Sequence, residues 1–287
     1  MYVPETMAIC SIVKMGLPPV FIFIYDQPWS IQGQIKNILK GLLDDNYLLL
    51  PDFWAWHVSP GESGWKPHRD RPLSLFDDFS PQSLTLWVPL TKATPENSCM
   101  YVLPANKDLH YHDKIQPDLK FGFPGNLSDI QALPSEPNDV LIWNQRVVHW
   151  GSTSNKNHKI GPRISLAFEF QRSDVNSFKD PLIKPCNIPN FKERLNLIGK
   201  QVIQYTHMYG FNEELVDLAE QNKHRSDCFL EIDRKGCQVV QLGDLRIACA
   251  WPPFADAREI TIVRPVAKLS IDDYQLDERL IERLSNH

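Results

Sequence analysis

The sequence predicts a mainly β fold, a sandwich or jelly roll with flanking helices, on three observations. Short runs rich in β-branched and aromatic residues recur through the first two thirds of the chain, at 84–90, 100–103, 139–143 and 163–170. Pro, Gly, Asn and Asp, residues that end strands, bound these runs. In the last run, Ile164, Leu166, Phe168 and Phe170 alternate with Ser165, Ala167 and Glu169, the period of a half-buried strand with one apolar face. Many short strands divided by turns characterise sandwiches and jelly rolls.

Helical spacing interrupts this pattern. Ile31, Ile35, Ile38, Leu39 and Leu42 predict a helix over 31–43, with Ser30 placed to cap it. Leu195, Ile198, Val202 and Ile203 predict a second over 191–204, which resumes over 213–220 after a break at Gly210. Such stripes are ordinarily core faces. Composition changes near Lys223. Strand-like runs follow at 237–242, 245–249 and 259–263, with Gly243-Asp244 as a hairpin turn between the first two, then an amphipathic stretch over 277–284. The expected organisation is a domain over 1–222 and a small, β-rich α+β C-terminal appendage over 223–287.

Bulk properties exclude several classes. A net charge of −5 over 287 residues gives no general attraction to nucleic acid or membranes. No apolar run approaches the roughly 20 residues of a membrane helix; the longest, 17–25, contains two prolines. The N-terminus lacks the basic region and longer apolar core of a signal peptide. Six cysteines are scattered without a C-x-x-C pair, as expected of reduced thiols in the cytoplasm rather than structural zinc.

The chemistry concentrates around the stretch GWKPHRDRP, residues 64–72. On an extended segment, His68 and Asp70 point to the same side, so an imidazole nitrogen and a carboxylate oxygen can converge on one ion. By itself a His-x-Asp triplet is more often a solvated loop. His149 follows about 80 residues later, after an apolar strand and a short turn. Two histidines and a carboxylate make the facial triad of non-haem Fe(II) oxygenases, with open positions for cosubstrate and oxygen. Arg163 opens the last strand, and Ser165 lies two residues on. An arginine fork holds a carboxylate bidentately, and the serine hydroxyl can add a hydrogen bond.

These landmarks together resemble the phytanoyl-CoA dioxygenase family of Fe(II)/2-oxoglutarate oxygenases over about residues 17–222. The matching segments are WKPHRD (65–70), LTLWVPLT (84–91), ATPENSCMYVLPA (93–105), HWGS (149–152) and RIS (163–165). The resemblance implies a cupin-like double-stranded β-helix with His68, Asp70 and His149 as iron ligands. It implies Arg163 as the clamp on the distal carboxylate of 2-oxoglutarate, with Ser165 beside it and Trp87 and Ser152 lining the cosubstrate pocket. It further implies O2 as a reactant and hydroxylation of a small organic or acyl, lipid-like molecule with release of succinate and CO2. Relatives that halogenate carry a small residue in place of the carboxylate, so Asp70 favours hydroxylation. The sequence departs from the family at Ser98, where glycine is common after the asparagine. It departs again at Trp150, which displaces Ser152 by one position.

His57 and Lys66 are candidate substrate contacts; Lys66 and Arg69 could draw an anionic substrate or be solvated loop charges. Trp54, Trp56 and Trp65 are expected as packing, Asn97 as a turn former and Cys99 as a small core residue. His110 and His112 form a rival pair without a carboxylate-binding partner. Residues from about 226 to 284 resemble the segment preceding the ATPase core of archaeal-type PIN-domain ATPases. No G-x-x-x-x-G-K-[ST] loop occurs in residues 1–287, so ATPase activity is not expected. Nucleic acid is not an expected partner; if the tail bound it, Arg234, Lys235, Arg246 and Arg264 would be the contacts. The alternative function is a non-catalytic, metal- and 2-oxoglutarate-binding jelly-roll sensor, or a fusion whose tail recruits RNA or a protein.

Overall fold

A computed structural model of the chain describes residues 3–113, 119, 122–207, 210–222, 229–234, 237–242, 245–250 and 259–263. It divides into two compact units, residues 1–216 and 217–287.

The first unit begins with α1 (Val3–Lys14), a buried 3-10 segment (Pro19–Ile24) and α2 (Asp26–Leu42). Seven strands follow: β1 (Leu48–Val58), β2 (Ser83–Pro89), β3 (Met100–Leu103), β4 (Gln131–Leu133), β5 (Leu141–Asn144), β6 (Val148–Gly151) and β7 (Arg163–Gln171). They form two antiparallel sheets, ordered β1-β7-β2-β5 and β4-β3-β6. This is the jelly roll. Helix α3 (Phe191–Tyr205) comes next, and α4 (Glu213–Asn222) spans the boundary between the units.

Strand alternation sorts side chains onto two sides of the larger sheet. Ile164, Leu166, Phe168 and Phe170 are fully buried on the side that meets the helices. There Phe23 of the 3-10 segment packs edge-on against Phe168, with ring centroids 5.4 Å apart, and against Phe53 at 4.4 Å. Each such buried side chain contributes about 1.5–3 kcal/mol over exposure. The other side of β7 was expected to meet solvent. Instead Arg163 (2% exposed) and Ser165 (0%) are buried, because the smaller sheet covers that face and encloses a cavity.

Two local features depart from the sequence expectation. Helix α2 begins at Asp26 rather than after Ser30, whose hydroxyl donates back to the Gln27 carbonyl at 2.8 Å. Pro28 is tolerated within the first turn, where no intrahelical N–H partner is needed, and Trp29 anchors that turn through Nε1–H to the Phe23 carbonyl at 2.7 Å. In β1 the register with β7 jumps between Leu49↔Phe170 and Phe53↔Phe168, so residues 50–52 stand opposite Glu169 alone. Pro51 cannot donate to a ladder, and its position makes this a bulge. Gln201 of α3 closes it, donating to the Pro51 carbonyl and accepting from Phe53 N–H at 3.4 Å.

The second unit contains a four-stranded antiparallel meander, β8 (Phe229–Arg234), β9 (Cys237–Leu242), β10 (Leu245–Ala250) and β11 (Glu259–Val263). The expected Gly243-Asp244 turn, the amphipathic stretch 277–284, Lys235 and Arg264 lie outside the described residues. Among the described residues, no helix is long and apolar enough to cross a membrane, and Cys10, Cys99 and Cys186 are free thiols.

Candidate metal centre

His68 and His149 meet through a backbone pairing that their sequence separation does not foretell. Each N–H donates to the other's carbonyl, His68 to His149 at 3.1 Å and the reverse at 3.0 Å, as in an isolated antiparallel bridge. Such a pair projects both side chains to one side, and the imidazole centroids are 4.3 Å apart. The segment carrying His68 also runs against the end of β6, with Gly64 N–H on the Ser152 carbonyl and Gly151 N–H on the Trp65 carbonyl. A Cβ on Gly64 would lie 2.6 Å from Gly151 Cα, so only glycine permits this approach.

Each ligand group has one free face. His68 Nδ1–H donates to the Lys66 carbonyl at 2.7 Å, and His149 Nδ1–H to the Val147 carbonyl at 3.0 Å. A carbonyl can only accept, so these bonds protonate both Nδ1 atoms and leave both Nε2 atoms to ligate. Asp70 Oδ2 accepts from Thr85 Oγ1 at 2.6 Å and from Trp143 Nε1 at 3.1 Å. Its Oδ1 lies 3.2 Å from His68 Nε2 and 3.3 Å from His149 Nε2. The three ligating atoms lie within 4.8 Å of one another. Three facing lone-pair atoms repel unless a cation or proton sits among them, so the donor set fits a divalent metal. The metal-free electrostatics agree. Burial would raise the Asp70 carboxyl, yet the charge and hydrogen bond of His149, then those of His68, hold it well below its usual range. Burial would lower His149, yet Asp70 raises it.

The donors around Asp70 form a chain of fixed polarity. Gln145 Oε1 accepts from Ser83 Oγ at 2.6 Å and Arg71 Nε at 3.1 Å, so its amide NH2 faces the other way. That Nε2 donates to Thr85 Oγ1 at 3.2 Å and to Glu169 Oε2 at 2.5 Å. Thr85 therefore spends its one hydrogen on Asp70.

A cavity lies beside the triad, and His68, Asp70 and His149 are among its lining residues. Arg163 and Trp87 form one part of its wall. Arg163 Nη1 donates to Ser165 Oγ at 2.8 Å and Nε to the Ser98 carbonyl at 3.0 Å, and the guanidinium lies over the Trp87 ring at 5.7 Å. Ser98 is in the left-handed region, φ 74°, where glycine is the easier residue. Ser98 holds the arginine mainly through its backbone carbonyl, which glycine would also supply, and its Oγ lies 3.4 Å from Arg163 Nη2.

Residues 32–165 match the family model of phytanoyl-CoA dioxygenase (PhyH). The matched segment contains His68, Asp70, His149, Arg163 and Ser165. Two curated relatives match over short stretches. An uncharacterized KH- and PIN-domain protein of Methanocaldococcus jannaschii is 45% identical over 87 residues, 30% of this chain and 13% of that protein. The Holliday junction branch migration ATPase PINA of Sulfolobus acidocaldarius is 48% identical over 58 residues, 20% of this chain and 11% of its own length. The chain thus spans little more than a tenth of these relatives. Among solved structures, HygX from Streptomyces hygroscopicus with nickel and 2-oxoglutarate bound is 13% identical, with 52% of this chain and 66% of that one covered at a TM-score of 0.38.

The remaining sequence candidates scatter. Among the described residues, those lining the cavity do not include His57, Lys66, Ser165 or Ser152. Ser165 acts on Arg163. Ser152 contributes backbone, accepting from Gly64 N–H and donating to the Cys99 carbonyl. His57 Nδ1 lies 3.5 Å from Ser59 Oγ, and burial lowers its pKa. Lys66 has an exposed side chain, and its carbonyl is what holds His68. Arg69 is buried in a bidentate pair with Asp108, at 2.6 and 3.1 Å, rather than solvated. His110 pairs with Asp113 at the surface. Trp54, Trp56 and Trp65, expected as packing, all line the cavity.

Sequence reasoning missed Asp52, Thr85, Trp143, Gln145 and Glu169. For Thr85 and Glu169 a signal existed, since alternation puts Thr85 on the face of Trp87 and Glu169 on that of Arg163.

Proposed function

We propose that this protein is an Fe(II)- and 2-oxoglutarate-dependent dioxygenase that hydroxylates a small organic molecule. The observation that carries the reading is the convergence of His68 Nε2, Asp70 Oδ1 and His149 Nε2, with every other polar atom of the three side chains held by a backbone carbonyl or by Thr85 and Trp143. The PhyH match over residues 32–165 supports it.

In this reading His68, Asp70 and His149 hold the iron, and Arg163 takes the far carboxylate of 2-oxoglutarate. Bound iron and 2-oxoglutarate supply the oxidising chemistry with O2, releasing succinate and CO2. The chain's own residues orient and shield. The two backbone carbonyls fix both imidazoles as Nδ1–H tautomers. Thr85 and Trp143 tie down one carboxylate oxygen so that the other presents to the metal. Arg163, pre-oriented by Ser98 and Ser165, offers a charged fork inside a dry wall, where a carboxylate gains most. The aromatic lining excludes water from the reacting carbon. Asp70 fills the position that a halide would need, which favours hydroxylation.

The test is anaerobic titration of the purified chain with Fe(II) and 2-oxoglutarate. A weak visible charge-transfer band should develop, and Asp70→Ala should abolish it. Oxygenation should yield succinate even without substrate. No band and no succinate from the wild-type chain would refute the proposal. Binding of 2-oxoglutarate with no succinate would favour a sensor instead.

A further inference from the structure

The cavity has a second polar wall that the metal centre does not use. The β1 bulge at 50–52 stands opposite Glu169, and it brings Asp52 beside that residue on the cavity lining. Asp52 is 2% exposed. Its Oδ1 accepts from Lys179 Nζ at 2.6 Å, but its buried Oδ2 receives no hydrogen bond. The nearest cation to that oxygen, Arg71 Nη2, is 3.5 Å away and is shared with Glu169 Oε2 at 3.3 Å. A buried carboxylate oxygen left without a donor is costly. Gln201 clasps the bulge from behind, so the position is built rather than incidental.

The surroundings select what fills it. Trp54 and Tyr205 line the cavity on the same side, with rings 4.3 Å apart, and Trp65 packs against Tyr205 at 5.7 Å. Aromatic faces next to carboxylates favour a cation that can also donate hydrogen bonds. Burial, then the charges of Asp52 and Asp70, push the Glu169 carboxyl well above its usual range. Glu169 pairs across the sheet with Thr85, which holds the metal-facing Asp70, so a group anchored there sits beside the metal position.

We propose that Asp52 and Glu169 form a recognition site for the ammonium group of an amine-bearing substrate, held opposite the Arg163 end of the cavity. An ammonium supplies three donors, one for the vacant Asp52 oxygen, and its charge lies against Trp54 and Tyr205. A hydroxyl supplies one donor and no charge, and a carboxylate has no hydrogen to give the vacant Asp52 oxygen. The inference rests on the oxygenase reading for its choice of substrate, but the binding it predicts is measured separately.

The experiment is calorimetry on the full chain loaded with Ni(II) and 2-oxoglutarate, titrated with hexylamine, 1-hexanol and hexanoate. Hexylamine should bind at least about tenfold more tightly than 1-hexanol, and hexanoate more weakly than both. Asp52→Asn, which keeps the side-chain shape, should remove the amine preference while leaving Ni(II) affinity unchanged. Equal binding of amine and alcohol, or an amine preference that survives both Asp52→Asn and Glu169→Gln, would overturn the inference. If a variant fails to fold, the wild-type amine-to-alcohol ratio still decides. Succinate formation without amine preference would refute this site and leave the oxygenase reading standing. Amine preference without succinate formation would do the reverse.

Discussion

Removing the Thr85 hydroxyl should weaken metal binding without touching a ligand. Thr85 Oγ1 donates to Asp70 Oδ2 at 2.6 Å from a residue only 5% exposed. The short distance and ionised acceptor mark a charge-assisted bond. Net contributions of such bonds run about 1.5–3 kcal/mol, and 1.4 kcal/mol is about tenfold in affinity. Trp143 still holds Oδ2 at 3.1 Å, and Gln145 keeps its bond to Glu169, so the carboxylate loosens rather than swings free. Thr85→Val should therefore raise the Kd for Fe(II) or Ni(II) by about 10–100-fold. Competition with a chromophoric chelator, under anaerobic conditions for Fe(II), measures this directly. Thr91→Val is the control. It removes a comparable hydroxyl, which donates to the Pro162 carbonyl at 3.0 Å, and should cost stability but not metal affinity. If the Thr85→Val Kd stays within about threefold of wild type, Oδ2 does not position the ligand oxygen and the reasoning is wrong.

Other outcomes can be checked alongside. Arg163→Lys should raise the Kd for 2-oxoglutarate about 10–100-fold, because an ammonium cannot replace a fork held by Ser98 and Ser165, with Ni(II) affinity unchanged. Gly64→Ala should cost about 1–3 kcal/mol, because its Cβ meets Gly151 backbone at 2.6 Å, and thermal unfolding should show a Tm lower by several degrees. Metal affinity should rise with pH. His149 lies above its usual pKa, so its contribution to apo stability is complete below about 6.5 and is lost as pH rises through the raised folded value. Asp70 lies below its usual range, so its contribution is present above about 3.9 and is lost as pH falls through the depressed folded value. A metal must displace the His149 proton, so calorimetry in buffers of different ionisation enthalpy should register proton release at pH values below the raised His149 pKa. Deleting residues 223–287 should leave Ni(II) affinity of the remaining chain unchanged within about twofold, as its three ligands all lie before residue 150.

Legibility varied with the range of the interaction involved. The strand at 163–171 was readable because alternation is local, and the candidate ligands were readable because His149 and Arg163 follow a His-x-Asp triplet that by itself is more often a solvated loop. The start of α2 was misjudged because Ser30 offers a capping side chain just before the apolar stripe. The docking of Trp29 against Phe23, a tertiary contact, decided the matter. Lys66 was singled out for its charge, yet its backbone carbonyl does the work, and no side-chain pattern reports that.

By itself the sequence determined the β-rich fold, and it pointed to three candidate donor side chains and an arginine on the last strand. These follow from period, residue chemistry and order. Only the tertiary structure decided which atoms converge. The His68–His149 bridge joins segments 81 positions apart, and the Thr85–Gln145–Glu169 chain spans three strands or turns. The bulge that turns Asp52 toward Glu169 depends on Gln201 in a helix 150 residues beyond Pro51. Convergence of this kind depends on sheet register and on long-range backbone pairing, which a linear pattern of residue types does not encode.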